Sequence, residues 1–160
     1  MTRLPDHFDL WVRKARKCRD EARQTDYVLG ALAGLNEWHF LNVGTKEAPQ
    51  SATTQIGSEP CRIVYSDVGR IEELFQEHGR AQKKGPLPVI TIPAAAAMAW
   101  CVEDRTGLLV NPGKDAAIIP FGRLEAFHAE WSQRGGRQAA GFWIPNMTTE
   151  EDDFWRERGM

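Results

Sequence analysis

The segment Thr106–Pro120 constrains the fold of this 160-residue chain more than any other. Two short apolar runs, Leu108–Val110 and Ala116–Ile119, flank an Asn-Pro-Gly sequence at 111–113. Pro fixes φ at the first central position of a turn, and Gly accepts a positive φ at the second, which favours a type II turn. The segment therefore predicts a β-hairpin whose two strands pair antiparallel.

Periodic apolar patterns predict helices and further strands around this hairpin. Apolar residues recur at a spacing of three to four in the helical stretches, whereas short apolar runs bounded by turn residues indicate strands. The predicted helices cover 6–23, a short stretch capped by Thr25 or Asp26, a stretch from Ser66 or Asp67 to His78, Ala94–Val102 and Phe121–Gln133. The further predicted strands cover Trp38–Val43, Cys61–Tyr65 and Leu87–Ile92. These elements predict an α+β fold, in which helices pack on a mixed sheet of about five strands.

Further expectations concern the arrangement of these elements. The near-continuous apolar run Leu87–Ile92 predicts a strand that is buried on both faces, and the unit 61–92 predicts a parallel strand–helix–strand crossover. The polar stretch 44–60 predicts a loop or a ragged hairpin. The first helix carries a basic face, for which we predict solvation, with a contact surface as the alternative. The residues of that face are Arg13, Lys14, Arg16, Lys17 and Arg19.

Length and composition predict one cytoplasmic domain. We expect a helical preface at 1–35, an α+β domain at 36–134 and a C-terminal tail at 135–160, all within one globular unit. The net charge of −2 favours neither nucleic acid nor a membrane surface as a partner. No apolar run approaches the length that crosses a bilayer, and the N-terminus lacks the apolar core of a signal peptide. Three widely spaced cysteines argue against a disulfide framework and fit a reducing compartment.

Residues with catalytic or metal-binding chemistry are sparse. A cysteine nucleophile would have to meet a histidine in the fold. Cys101, however, lies in an Ala-rich helical stretch and Cys61 begins a predicted strand, which favours inert buried thiols. The four histidines show no close pairing and no Cys-x-x-Cys sequence occurs, so we predict no metal site and no cofactor. The basic loop 79–85 lacks the spacing of a phosphate-binding loop.

Aromatic residues in the tail favour a protein partner. Trp143, Phe154 and Trp155 lie outside the predicted α+β domain, and aromatic side chains carry much of the energy of protein interfaces. We predict these three as partner-binding residues, with Lys83 and Lys84 of the polar loop as secondary candidates. The alternative is that the tail packs on its own domain and covers a sheet edge or face.

Three segments resemble the N-terminal domain of the SseB-type family, bacterial proteins named after an enhanced-serine-sensitivity phenotype. They are Val64–Asp67 (Val-Tyr-Ser-Asp), Pro88–Pro93 (Pro-Val-Ile-Thr-Ile-Pro) and Gly107–Gly113 (Gly-Leu-Leu-Val-Asn-Pro-Gly). The resemblance covers 61–131 and extends more weakly upstream, whereas helix 6–23, loop 44–60 and the tail depart from it. It implies an α+β domain with no established catalysis, associated with secretion-related or toxin-neighbouring loci.

The sequence as a whole therefore predicts a non-enzymatic, SseB-like protein-binding module in a secretion- or toxin-associated setting. An immunity-type inhibitor of a toxin enzyme is the first alternative, and a small enzyme that uses cysteine and histidine is the second. The identity of the partner and the oligomeric state do not follow from the sequence.

Overall fold

The computed structural model of the protein describes residues 7–77, 87–113, 115–133 and 144–145. Five helices and six strands lie in these ranges, which confirms the α+β class. In chain order they are α1 (His7–Ala15), α2 (Glu21–Ala33), β1 (Glu37–Leu41), β2 (Thr53–Ile56), β3 (Glu59–Val64), α3 (Val68–Glu77), β4 (Val89–Pro93), α4 (Ala94–Glu103), β5 (Gly107–Val110), β6 (Ala117–Ile119) and α5 (Phe121–Gln133). No helix in the described ranges is long and apolar enough to cross a membrane.

The strands form a mixed four-stranded sheet and a two-stranded ribbon. The larger sheet has the order β2-β3-β5-β6, in which β3 and β5 are parallel and the two outer pairs are antiparallel. Strands β1 and β4 pair antiparallel as the ribbon. The ribbon is joined to the sheet because His39 and Tyr65 exchange both backbone hydrogen bonds, at 3.1 and 2.7 Å.

The predicted β5–β6 hairpin is confirmed. Leu108 lies opposite Ile119 in the β5–β6 pair. Gly113 has a positive φ of 131°, as its place in the turn requires, and Asn111 also adopts a positive φ, of 48°. The polar stretch before β3 forms the second of the two predicted alternatives, a hairpin, with Gly57 at a φ of 63° between β2 and β3.

The prediction of one continuous helix over 6–23 is wrong. Helix α1 ends at Ala15, and α2 begins at Glu21. The carboxylate of Asp20 accepts a hydrogen bond from the backbone N–H of Ala22 at 3.0 Å and so caps the new helix. The predicted caps, Thr25 and Asp26, therefore lie inside α2. The cap at Asp20 begins a new helix although the apolar spacing continues through 6–23.

The predicted burial and pairing of the strand at 87–92 are also wrong. No residue of β4 is fully buried. Its partner is β1, with Glu37 opposite Pro93 and Leu41 opposite Val89, so the strand belongs to a ribbon rather than to the middle of a parallel sheet. The parallel neighbour of β3 is β5 instead, which means that the crossover from β3 contains α3, β4 and α4 before the chain returns to the sheet.

The helices and the sheet share one apolar core. Helix α4 contributes small side chains to it, and Ala97 and Cys101 are fully buried there, as the Ala-rich sequence predicts. The N-terminal helices belong to this core as well, since Val12, Leu29 and Leu32 pack in the same cluster as Leu108 and Ile119 of the sheet. Complete burial of each large apolar side chain in this core stabilises the fold by about 1.5–3 kcal/mol.

Candidate protein-interaction groove

All five residues that the sequence predicts as partner-binding lie outside the described ranges: Trp143, Phe154, Trp155, Lys83 and Lys84. The two described residues that follow Trp143 do have a defined place. Ile144 is fully buried, and Arg23 of α2 donates a hydrogen bond to the backbone oxygen of Pro145 at 2.5 Å. At these two residues the tail packs on its own chain.

The guanidinium that holds Pro145 belongs to a buried charge network. Asp26 of α2 is almost completely buried and accepts hydrogen bonds from Arg123 at 2.8 Å and from Arg23 at 3.4 Å. Arg123 lies near the start of α5, so the network joins α2, α5 and the C-terminal segment. A buried carboxylate that is paired in this way fixes the position of the groups around it.

The segments Val64–Asp67 and Gly107–Gly113 meet in space, although Ser66 and Asn111 are 45 residues apart in the chain. The side chain of Asn111 accepts from the backbone N–H of Ser66 at 3.0 Å and donates to the Ser66 hydroxyl at 2.9 Å. Gly107, which begins the second segment, leaves no room for a side chain, because a Cβ there would lie 2.6 Å from the backbone oxygen of Ile119. These residues hold β3, β5 and β6 together. Their structural role explains why these residue types occur here, and no catalytic role is needed.

A buried arginine occupies the space between β3 and α4. Arg62 donates to the hydroxyl of Ser51 at 2.8 Å and to the carboxylate of Asp104 at 2.7 Å. Its guanidinium lies 3.6 Å from the ring centroid of Trp100, which is a cation–π contact. It also approaches the sulfur of Cys101 at 3.6 Å.

Two of the three cysteines, Cys61 and Cys101, are enclosed, whereas Cys18 is half-buried. Burial raises the pKa of the Cys101 thiol even though Arg62 acts in the opposite direction, and burial raises the pKa of Cys61 as well. Both thiols are fully buried, which favours the neutral form over the nucleophilic thiolate. Within the described part of the chain, no group of three or more His, Cys, Asp or Glu residues could hold a metal ion.

A groove of about 170 Å³ opens between α1, α2 and the edge strand β6. Seven of its ten lining residues are aliphatic and three, on the two helices, are polar. Four of the aliphatic residues are buried, so polar atoms make up the larger part of the surface that the groove exposes. We call it the α1–α2–β6 groove and define it by its lining residues: Val12, Ala15, Arg16, Gln24, Thr25, Val28, Ala116, Ala117, Ile118 and Ile119. Ile118 is half exposed there, on a strand that ends the sheet.

One side of the groove carries positive charge. The Arg13 guanidinium makes two hydrogen bonds of 3.0 Å to the Asp115 carboxylate, which raises the pKa of Arg13 above its usual value. Arg16 donates to the backbone oxygen of Ala116 at 2.6 Å and lies 3.5 Å from Asp115. The predicted solvated face is therefore partly engaged with the β5–β6 turn, while Lys17 and Arg19 are exposed. With one carboxylate between two guanidiniums, these three side chains leave a net positive charge beside the groove.

Sequence reasoning missed both the groove and the two buried charge networks. The groove joins residues about 100 positions apart, so no local pattern could show it. The network around Arg62 could have been predicted, because Arg62 interrupts the apolar strand Cys61–Val64 and a charge that is buried needs a partner. No protein-family model, curated protein or solved structure matches this chain.

Proposed function

We propose that the protein is a non-enzymatic protein-binding module of the SseB type. The observation that carries this proposal is the α1–α2–β6 groove, in which the half-exposed Ile118 of the edge strand β6 lies beside polar and positively charged side chains. Apolar surface beside an edge strand is a recurring place for another polypeptide to dock. The resemblance of three segments to the SseB-type family supports the same function.

The groove favours a partner segment that is apolar and acidic. One aromatic or aliphatic side chain that packs on the half-exposed Ile118 would contribute about 25 cal/mol for each Å² of apolar surface removed from water. Carboxylates next to that side chain would face Arg16 and the exposed charges of Lys17 and Arg19. Because those cations are accessible to solvent, they would act mainly on the rate and specificity of association.

The tail aromatics remain the predicted contact residues for the partner. Trp143, Phe154 and Trp155 would bury on the partner protein, and Lys83 and Lys84 would add secondary contacts. The complex therefore has two parts in this proposal, the groove and the tail, which can be tested separately.

The test uses full-length tagged protein in its native cells, with the wild type compared with Ile118→Asp, Arg16→Glu and Phe154→Ala/Trp155→Ala. Captured proteins are identified by mass spectrometry, purified and titrated against each variant by calorimetry. We expect Ile118→Asp to reduce the affinity at least about tenfold, because a charge in the groove opposes apolar contact. Arg16→Glu should reduce the affinity more at low salt than at high salt, because salt screens the exposed charges.

Val43→Asp is the matched control, since Val43 is as exposed as Ile118 and does not line the groove. It should bind like the wild type. A purified partner that binds all variants equally well would contradict the proposal for the groove. If no form of the protein captures a partner, the binding function itself is wrong.

A further inference from the structure

We infer that three charged side chains of α2 and α5 form a latch, which holds the C-terminal segment reversibly at Ile144 and Pro145. The three residues are Arg23, Asp26 and Arg123, and we call them the α2–α5 latch. Arg23 contacts the segment directly, whereas the other two act on it through Arg23. The inference goes beyond the proposed function, because it concerns a conformational change of the free protein and involves no partner.

The latch holds the segment through Arg23. Its Nη1 donates to the backbone oxygen of Pro145 at 2.5 Å, next to the fully buried Ile144. A hydrogen bond whose donor is charged is stronger than one between two neutral groups. The side chain of Arg23 is 19% exposed, so water can take its place at the carbonyl when the guanidinium turns away. The position of this guanidinium therefore controls how firmly the segment is held.

Asp26 competes with Pro145 for the same donor. Nη1 of Arg23 also lies 3.4 Å from Oδ2 of Asp26, which follows it by three residues on α2. The side chain of Asp26 is only 6% exposed, so water screens its attraction for a guanidinium weakly. The contact of 3.4 Å is long for a hydrogen bond, whereas the bond to Pro145 is short. Arg23 is therefore shared between the carboxylate and the carbonyl.

Arg123 determines how much of Asp26 is open to Arg23. It donates to Oδ1 of Asp26 at 2.8 Å and to the backbone oxygen of Ala22 at 3.4 Å, which ties α5 to α2. Without Arg123, both carboxylate oxygens would be open to Arg23, and a guanidinium pairs best with a carboxylate through two parallel hydrogen bonds. Arg23 would then leave Pro145. Withdrawal of Arg123 from Asp26 therefore opens the latch, and Arg123 is its accessible member, with 40% of the side chain exposed.

Thiol labelling of the full-length chain tests the inference. In a Cys18→Ser background, Ile144→Cys places a thiol at the buried anchor, while the native Cys101 lies in the apolar core and reports opening of the whole fold. A buried thiol reacts with an added aromatic disulfide only when the structure around it opens. Peptide mass spectrometry separates the two labelling rates. We expect the new thiol to react at least about tenfold faster than Cys101, because the latch opens without the core.

The variants test the path through Asp26. Arg123→Gln should raise the labelling rate of the new thiol relative to Cys101 about fivefold or more, because Arg23 then turns to Asp26. Arg13→Gln is the matched control, since Arg13 is also paired with an aspartate and is 39% exposed, and it should leave this ratio unchanged. In an Asp26→Asn background, Arg123→Gln should have no further effect, because the carboxylate that attracts Arg23 is gone.

Three results would overturn the inference. The first is an equal labelling rate at the new thiol and at Cys101, which would mean that the segment opens only with the whole fold. The second is an Arg123→Gln variant in which both rates rise by the same factor, because Arg123 would then stabilise the fold and not the latch. The third is an equal effect of Arg123→Gln and Arg13→Gln. All three are measured without a partner, so they are independent of the test of the proposed function.

Discussion

Arg62 and Arg13 make the same kind of contact in two different regions of the molecule. Each donates to an aspartate within 3.0 Å, Arg62 to Asp104 and Arg13 to Asp115. The side chain of Arg62 is only 7% exposed, whereas that of Arg13 is 39% exposed. Arg62 is also surrounded by an aromatic ring, a hydroxyl and a sulfur, while Arg13 lies against the β5–β6 turn.

The difference shows that burial, rather than the ion pair, decides what an arginine does here. Removal of a buried guanidinium leaves a cavity and unsatisfied polar groups around it. Arg62 therefore contributes to the stability of the fold. An exposed guanidinium can exchange its carboxylate partner for water or for another carboxylate at little cost. The groove has its positive charge from this second kind of arginine, which suits a surface that has to bind and release.

The largest expected effect is that of Arg62→Ala. The change removes the stacking partner of Trp100 and two hydrogen bonds, while Asp104 is exposed enough to be rehydrated. We expect a loss of about 2–4 kcal/mol in the free energy of unfolding, measured by chemical denaturation. Arg13→Ala is the matched control and should shift the denaturation midpoint little. Similar midpoints for the two variants would contradict the conclusion that burial makes Arg62 more important to the fold than Arg13.

Ser51→Ala should have a smaller effect of the same origin. Its hydroxyl accepts from Nε of Arg62, and both side chains are buried, so the substitution leaves one N–H of the guanidinium without that partner. We expect a loss of about 1–3 kcal/mol in the free energy of unfolding. In the Arg62→Ala background the same substitution should cost much less, and an additive double mutant would show that the two residues are not coupled.

The smallest effect concerns His128, whose burial is intermediate between the two arginines. Partial burial lowers the pKa of His128 below its usual value, so the unfolded chain binds its proton more readily than the folded chain. The stabilisation is therefore fully present above about pH 6.5 and is lost as the pH falls through the lowered pKa. We expect His128→Gln to flatten the pH dependence of unfolding between neutral and mildly acidic pH. A variant with the slope of the wild type would exclude this residue as its source.

The elements that the sequence predicted well are those that depend on local signals. Pro93 and four consecutive alanines define α4, and the Asn-Pro-Gly turn defines the β5–β6 hairpin. The apolar residues of α5 point inward as their spacing predicts, since Leu124, Phe127 and Trp131 are buried. Helix propensity and turn preference depend on a few neighbouring residues, so a short stretch of sequence is enough to predict these elements.

The predictions that failed depended on partners far along the chain. The apolar run at 87–92 shows a strand but not that β1 is its neighbour, and the run of apolar residues at 6–23 does not show where a cap interrupts it. The groove is the extreme case, because Arg16 and Ala116, which both line it, are 100 residues apart in the chain. Periodicity describes one element at a time, whereas a site between elements exists only after they have packed.

The placement of β4 has a consequence for the way the molecule opens. After β3 the chain forms α3, then β4, which pairs with β1, and only then returns through α4 to β5 beside β3. One strand of the ribbon, β4, therefore lies inside the connection between two adjacent strands of the sheet. The Ser66–Asn111 hydrogen bonds close that long excursion. Separating the ribbon from the sheet would therefore displace the connection between β3 and β5. Amide protons in the ribbon and in the β3–β5 pair should consequently exchange with solvent through one cooperative opening event rather than through two independent ones.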